Sequence, residues 1–331
     1  MNKKAKIGVI GSGSWATAIV KMLSENNVVI NWWVRNESTI NYIKSHSKNP
    51  NYLSNISLNP SRLFLSSNIN DVINASDYLV LAVPSAFIKK TLEGTCLKIK
   101  EKVVFSAIKG IVPEENTIVG EYMHNQFKIP YKNIGVITGP CHAEEVGIEK
   151  LSYLTIACSD TKKAEIFSKY ISSEYIRTSI SDDIYGTEYS AVLKNIISIA
   201  VGMCRGLGYG DNFQATLVAN AICEIDRFLA YTHPIQRDIK ESAYLGDLLV
   251  TSYSKFSRNG VFGEMIGRGK TIKYSQKKLK MIAEGYYAVK CIKELNNDMG
   301  IRMPITDAVY NVLYESKSVE KEMRSLTKKI F

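Results

Sequence analysis

The stretch Lys6-Ile-Gly-Val-Ile-Gly-Ser-Gly-Ser-Trp-Ala-Thr-Ala-Ile19 carries the fold class of the chain within it. Ile7, Val9 and Ile10 make a short apolar run, the pattern of a parallel strand buried on both faces. The run ends at Gly11, turns through Gly13, and gives way to Trp15, Ala18, Ile19, Met22 and Leu23 at helical spacing. Strand, Gly-x-Gly-x-x-Ala, helix is the context of a dinucleotide-phosphate loop. Gly11 permits the tight turn, Gly13 keeps a side chain out of the way of a pyrophosphate, and Ala16 still lets helix and strand pack closely. The helix start offers amide groups and a positive dipole end to phosphate.

Working outward, Val28–Val34 reads as the second strand. A strand of this kind often ends in an acid for a ribose 2′-hydroxyl. Here Arg35 and Asn36 stand there, with Glu37 behind. Arg35 is either an exposed turn residue or the partner of a 2′-phosphate; the second reading predicts use of NADPH. Residues 38–62 are polar and contain Asn49-Pro-Asn-Tyr-Leu53, a stretch expected to form a long functional loop. Further strands are expected at Leu63–Leu65, Asp77–Pro84, Lys102–Ile108, Asn133–Thr138, Leu154–Cys158 and Tyr175–Ser179. Helices are expected at Asp71–Ala75, from Ser85 to about Leu97, from Pro113, and over Thr161–Ile171. Alternating strands and helices predict a doubly wound parallel sheet, with ligands beyond the carboxyl ends of its strands. Those ends carry Gly11–Trp15, Arg35, Pro84-Ser85, Lys109-Gly110 and Gly139–Glu144.

From Ile184 the pattern is helical only: Tyr185–Arg205, Phe213–Tyr231, Lys240–Ser252, Lys277–Asn297 and Thr306–Glu315. The expected architecture is α/β. An N-terminal Rossmann-type doubly wound parallel sheet, residues 1–183, precedes a C-terminal all-helical substrate domain, residues 184–331. A length of 331 residues, 45% apolar and 22% charged, suits two globular domains. No apolar run is long enough to span a bilayer, and the first strand begins too early to leave room for a signal peptide, so a cytoplasmic protein is expected. The six cysteines show no Cys-x-x-Cys pair and the four histidines no ligand spacing, so neither a disulfide frame nor a metal is expected. The net charge of +10 is concentrated at Arg268–Lys280 and in the tail from Lys317 to Lys329. Neither stretch alternates aromatic with basic residues as single-strand binders do; attraction of phosphorylated small molecules is the reading preferred over nucleic acid.

Lys194 is the most informative residue of the second half. Thr187, Ser190, Ala191, Ile197, Ser198 and Val201 share its helix face, which is small and apolar. Such a lysine is either buried, with its pKa lowered into the range of acid–base work, or snorkels out along its own stem. Lys109 offers a second cation at a strand end. Asp247 and Thr251 lie one helical turn apart in Leu245-Gly-Asp-Leu-Leu-Val-Thr251, and Arg258 with Asn259 has the donors to grip a phosphate.

In combination these pieces resemble bacterial NAD(P)-dependent glycerol-3-phosphate dehydrogenase from end to end. The resemblance runs through Gly11–Ile19, Asn49-Pro-Asn-Tyr-Leu53, Lys109-Gly110, Gly139-Pro, Ala143-x-Glu145 and Leu193-Lys-Asn195. It continues with Gly206-Leu-Gly-x-Gly-Asp-Asn212, Gly246-Asp-Leu248, Ser257-Arg-Asn259 and Glu284-Gly285. It implies a helical domain like the C-terminal one of 6-phosphogluconate dehydrogenase. It also implies reduction of dihydroxyacetone phosphate to sn-glycerol 3-phosphate by NADH or NADPH, feeding phospholipid synthesis, in a protein that is a homodimer within the family. By position, Lys194 is then the general acid/base and Lys109 a second catalytic lysine close to cofactor and substrate. Gly139, Cys141, Asp247, Thr251, Ser257, Arg258 and Asn259 are implied substrate contacts. Gly11, Gly13, Ser14, Trp15, Arg35, Lys109, Ala143, Arg258, Ile282 and Glu284 are implied cofactor contacts. Three segments depart from the family: Cys141-His142 stands for the usual Ser-Phe, Ser242-Ala-Tyr-Leu245 for Leu-Ala-Gly, and Ala219-Asn-Ala221 for Thr-Arg-Gly. The competing readings are a ketopantoate reductase-like enzyme and a silent NAD(P)H sensor; the cations at Lys109, Lys194 and Arg258 argue against both.

Overall fold

The computed structural model describes residues 5–279 and 283–330. The chain forms two compact units, one of the residues up to Ile108 with Val119–Ile184, the other of Lys109–Ile118 with the residues from Tyr185 on. A division at 183/184 alone would leave Lys109–Ile118 in the first unit, but these residues pack with the second.

Among the described residues the ten strands are β1 (Lys6–Ile10), β2 (Val29–Trp33), β3 (Leu63–Ser66), β4 (Tyr78–Leu81), β5 (Val103–Ser106), β6 (Ile111–Val112), β7 (Thr117–Ile118), β8 (Ile134–Thr138), β9 (Ser152–Cys158) and β10 (Ile176–Ser181). Eight of them form the sheet of the first unit in the order β10-β9-β8-β5-β4-β1-β2-β3. β1 lies in parallel register with β2, Ile7 opposite Ile30, and with β4, Ile7 opposite Tyr78. Ile7–Ile10 are buried on both faces, which is why the strand reads as an unbroken apolar run. The helices of this unit are α1 (Ser14–Ser24), α2 (Glu37–His46), α3 (Ile69–Ala75), α4 (Ile88–Leu92), α5 (Val119–Phe127), α6 (Ala143–Gly147) and α7 (Thr161–Ile171). Ala16, Ile19 and Leu23 of α1 share a core with Val9, Ile30, Phe105 and Phe167, the last two stacked at 4.2 Å.

Several local expectations are corrected. The segment read as one long loop contains α2, whose only buried positions are Thr39, Ile40 and Ile43, too thin a stripe to show among Asn and Ser. Pro113-Glu-Glu does not open a helix. It turns the β6–β7 hairpin, with Glu114 and Asn116 at φ 70° and 51°; α5 starts only at Val119. Proline suits a turn as well as a first helical turn, so local chemistry did not separate the two. The helix after Pro84 ends at Leu92 rather than near Leu97. β9 runs antiparallel to β8. A five-residue α6 rises only about 7.5 Å, too little to carry the chain back along a strand.

The second unit holds the β6–β7 hairpin and α8 (Ile184–Gly206), α9 (Asp211–Thr232), α10 (Asp247–Tyr253), α11 (Arg258–Gly267), α12 (Ile272–Lys278), α13 (Glu284–Met299), α14 (Pro304–Leu313) and α15 (Val319–Leu326). The helix expected over Lys277–Asn297 is thus α12 and α13, with residues 280–282 outside the description; the helix expected from Lys240 begins as a π-turn at Ser242–Gly246. Its core gathers Ile196, Ile199, Ala200 and Met203 of α8 with Leu217 and Phe228 of α9, Phe262 of α11 and Val309 of α14. α8 and α11 touch backbone to backbone: a Cβ on Gly202 would strike the Gly260 carbonyl, and one on Gly263 the Ile199 carbonyl. Gly206 and Gly267 meet in the same way further along.

Glu224 of α9 closes this core. Its carboxylate, 1% exposed, accepts from the Ile305 N–H at 2.8 Å, the Thr306 N–H at 2.9 Å and the Thr306 hydroxyl at 2.7 Å. It thereby satisfies the first amides of α14, where the helix dipole also favours an anion. Burial nonetheless outweighs these donors and Arg227, and pushes the Glu224 carboxyl up to about 7 from its ordinary 4.5. The folded state therefore holds this proton more tightly than the unfolded state, and the stability it contributes is intact below pH about 4.5 and lost as pH rises through about 7. The urea midpoint is expected to fall across that window in the native chain and to stay flatter in Glu224→Gln, which has no proton to lose. Equal slopes in the two proteins would remove Glu224 as the cause.

Candidate active site

In the first unit β1, β2, β4, β5 and β8 are mutually parallel, so their carboxyl ends share one edge of the sheet. The chain leaves β1 towards β2 and β3 and returns as β4 on the other side, which makes the end of β1 a topological switch point. Gly11 stands there at φ +126°, a conformation that L side chains avoid, and a Cβ on it would run into the Ala82 carbonyl. Gly13 precedes α1, and beyond its own chain neighbours no described atom lies within 4 Å of where its Cβ would stand. The turn thus presents a cradle that any side chain at Gly13 would fill, with the amides of Ser14 and Trp15 opening the helix behind it. These residues fit a dinucleotide pyrophosphate. Arg35 is exposed in the bend after β2. At the end of β8, Gly139 has φ +119° and lies against the Tyr153 carbonyl; Cys141 and Ala143 follow, both buried. Ile282 lies outside the described residues.

The second unit brings Lys109, Lys194, Asp247 and Thr251 together. Lys194 is 4% exposed and Asp247 1%, so the snorkelling alternative for Lys194 is set aside. Lys194 Nζ donates to Asp247 Oδ1, and Lys109 Nζ donates to Oδ2 at 3.3 Å. One carboxylate therefore serves two ammonium groups. The Thr251 hydroxyl reaches the same Oδ1 at 3.5 Å, a long bond. Burial pushes Asp247 up, but Lys109 and Lys194 outweigh it and hold the carboxyl below its ordinary value. Burial drives Lys194 down towards about 7; Lys109 adds to the fall and Asp247 opposes it. Direction and cause agree: with its counter-charge shared, Lys194 lacks the full compensation a buried ammonium needs.

The elements that hold this group are specific. The π-turn Ser242–Gly246 swings the chain so that Asp247 opens α10, a local irregularity of the kind found at functional sites. The Asn195 side-chain amide donates to the Lys109 carbonyl at 2.7 Å, tying the start of the hairpin to α8. The Ser198 hydroxyl donates to the Thr251 carbonyl at 3.1 Å and pairs with the Ser257 hydroxyl at 2.7 Å, while Ser257 caps α11 by accepting from the Gly260 N–H. Asn259 Oδ1 accepts from the Gly285 N–H at 3.0 Å, beside half-buried Glu284 at the start of α13, and Arg258 is exposed. Asn195 and Ser198 are not among the site residues expected from sequence. Helical spacing puts Ser198 on the Lys194 face and a family motif includes Asn195, but their partners are 53 to 86 residues away in the chain, so the sequence does not show what they bond.

Among the described residues no group of three His, Cys, Asp or Glu has metal-binding geometry, and no helix is long and apolar enough to cross a membrane. A glycine cradle at the switch point of a largely parallel sheet, with a buried and a half-buried lysine on one buried carboxylate in a helical unit, defines the class: a nicotinamide-dependent oxidoreductase.

Comparison narrows it. The model of the NAD-dependent glycerol-3-phosphate dehydrogenase N-terminus matches residues 6–164 and that of the C-terminus residues 183–324. The chain is 35% identical to glycerol-3-phosphate dehydrogenase [NAD(P)+] of Exiguobacterium, over 98% of this chain and 96% of the relative. It is 34% identical to that of Agathobacter rectalis, over 97% and 95%. The crystal structure of glycerol-3-phosphate dehydrogenase from Coxiella burnetii shares its fold at a TM-score of 0.89 and 23% identity, covering 98% of this chain and 99% of the other. The chain belongs to the NAD-dependent glycerol-3-phosphate dehydrogenase family.

Asp247→Asn keeps the shape of the group and removes its charge. Lys194 then has burial and the repulsion of Lys109 with no counter-charge, and is expected to titrate lower than in the native protein, as followed by NMR of isotopically labelled lysine. An unchanged titration would show that Asp247 is not its counter-charge.

Proposed function

We propose that this chain reduces dihydroxyacetone phosphate to sn-glycerol 3-phosphate with NADH or NADPH, Lys194 supplying the proton. The observation that carries the reading is the buried Lys194–Asp247–Lys109 arrangement in a chain of this family. A reduced nicotinamide nucleotide, whose pyrophosphate the Gly11–Trp15 turn would hold, would supply the hydride for the carbonyl carbon. Charge then builds on the carbonyl oxygen, and Lys194 Nζ gives that oxygen its proton and recovers one from solvent. Asp247 holds Lys194 Nζ in place and keeps it from being neutral throughout the working range, while Lys109 stabilises the developing negative charge. Arg258, Asn259 and the capped start of α11 at Ser257 take the phosphate, the guanidinium through its planar donors. Gly139, Cys141 and Thr251 complete the substrate contacts; Gly11, Gly13, Ser14, Trp15, Arg35, Ala143 and Glu284 are assigned to the cofactor.

In this reading residues 1–183 serve the nucleotide and 184–331 the substrate, with Lys109 joining the second group through its ion pair with Asp247. The enzyme is taken as cytoplasmic and homodimeric, acts on small molecules and not on nucleic acid, and supplies glycerophospholipid synthesis.

Lys194→Ala is expected to abolish NADH oxidation driven by dihydroxyacetone phosphate while NADH still binds within about twofold of the native affinity. Because the ammonium is the acid in reduction, the native rate should fall as pH rises through about 7, and the reverse oxidation should rise over the same range. Turnover retained in Lys194→Ala would remove this lysine from the mechanism. Arg35→Ala should weaken NADPH about tenfold or more while leaving NADH nearly unchanged, the loss of one charge-assisted phosphate contact being about 1.5–3 kcal/mol. Equal losses for both cofactors would show that Arg35 does not read the 2′-phosphate.

A further inference from the structure

The motif Asn49-Pro-Asn-Tyr-Leu53 has no part in the chemistry assigned above, yet Asn49 is 1% exposed and all its hydrogen-bonding groups are used. Its Nδ2 donates to the Ser12 carbonyl at 3.0 Å and to the Thr17 hydroxyl at 2.8 Å. Its Oδ1 accepts from the Asn51 and Tyr52 amides at 3.0 and 3.3 Å. The orientation of the amide is forced, because the Ser12 carbonyl only accepts and the two backbone N–H groups only donate. The Thr17 hydroxyl passes its own proton to the Gly13 carbonyl at 2.9 Å, a second donor beside the Thr17 N–H, which makes the first bond of α1 to the same oxygen at 2.9 Å. From β2, the fully buried Trp32 donates its indole N–H to the Gly11 carbonyl at 2.6 Å.

Three consecutive carbonyls, of Gly11, Ser12 and Gly13, are thus each held by a different buried side chain. A trans peptide is planar, with its C=O and the following N–H pointing in opposite directions. Pinning those carbonyls therefore sets the directions of the next three amides, those of Ser12, Gly13 and Ser14. Carbonyl oxygens facing a pyrophosphate would repel it, whereas amides facing it bind it.

We propose that Asn49, Thr17 and Trp32 are positioning residues for the cofactor: they hold the Gly11–Ser14 turn in its anion-accepting form before the nucleotide binds, and Asn49 makes the 47–58 segment part of that device. The inference rests on the nucleotide role of the first unit and is independent of the ketone and of Lys194. Pre-ordering of this kind lowers the ordering cost of binding and so appears in affinity for the nucleotide.

The test is equilibrium titration of the full chain with NADH and NADPH, without ketone, for Thr17→Val, Thr17→Ser and Asn49→Asp. Valine keeps the volume of threonine and loses the hydroxyl; serine keeps the hydroxyl; aspartate keeps the acceptor for Asn51 and Tyr52 and turns an acceptor on the Ser12 carbonyl. Thr17→Val and Asn49→Asp are expected to weaken both nucleotides about tenfold or more, and Thr17→Ser to stay within twofold of native. In turnover assays the cofactor KM should rise with the KM for dihydroxyacetone phosphate unchanged. Nucleotide affinity within twofold of native in Thr17→Val, serine as weak as valine, or both KM values rising together would overturn the proposal. If Asn49→Asp does not fold, the Thr17 pair decides alone. A native chain that binds neither nucleotide would instead overturn the nucleotide reading itself.

Discussion

The second unit depends on a helix contact in which glycines bring two backbones together. Along α8 and α11, Gly202 and Gly206 face Gly260, Glu264 and Gly267, while Gly263 faces the Ile199 carbonyl. Glycine in a helix interior costs about 1 kcal/mol relative to alanine, so two helices that carry several must gain elsewhere. The gain is close approach. Only at this distance does Ser198 of α8 meet the Ser257 hydroxyl that caps α11. Asn259 of α11 then receives the Gly285 N–H of α13, and Gly285 lies against the Asn195 carbonyl of α8, where a Cβ would approach to 2.6 Å. The three helices close a ring around the turn of α8 that bears Lys194 and Asn195.

Within that ring the governing quantity is charge. Asp247 carries one negative charge and faces two ammonium groups, all with little access to water. A buried carboxylate alone would be driven towards protonation, and a buried ammonium towards deprotonation. Two cations keep the carboxylate ionised, and burial together with the neighbouring Lys109 leaves the Lys194 ammonium proton more weakly held than in water. Two ammonium groups on one carboxylate suit a ligand that is anionic or becomes so during reaction. The same principle acts at Glu224 with the opposite outcome: Arg227 and three hydrogen-bond donors do not outweigh burial.

In the first unit the turn after β1 is made of backbone, and backbone carries as many carbonyls as amides. A glycine turn alone does not decide which of them meets a phosphate. Trp32, Asn49 and Thr17 hold the carbonyls, and each comes from a different element, β2, the segment after α2, and α1. The open space at Gly13 and the crowding of Gly11 against Ala82 then complete a cradle of fixed shape.

What the sequence determined by itself follows from local physics. A buried parallel strand must be apolar, a phosphate turn must have glycine where a Cβ has no room, and a helix face must repeat; these made the α/β sheet, the Gly11–Gly13 turn, the helical second half and the importance of Lys194 readable. The family motifs extended this to Lys109, Asp247 and Ser257–Asn259. The direction of β9, the hairpin at Ile111–Ile118 and the helix over Glu37–His46 were not readable, because short or thinly apolar segments satisfy several local patterns equally well. Only the tertiary structure decided that Lys194 is buried and not snorkelling, that its counter-charge is shared with Lys109, and which distant groups Asn195, Ser198, Asn49 and Trp32 hydrogen-bond. Those facts depend on which groups meet across tens of residues of chain, and a hydrogen bond or a desolvation cost exists only once packing has brought both partners together and excluded water.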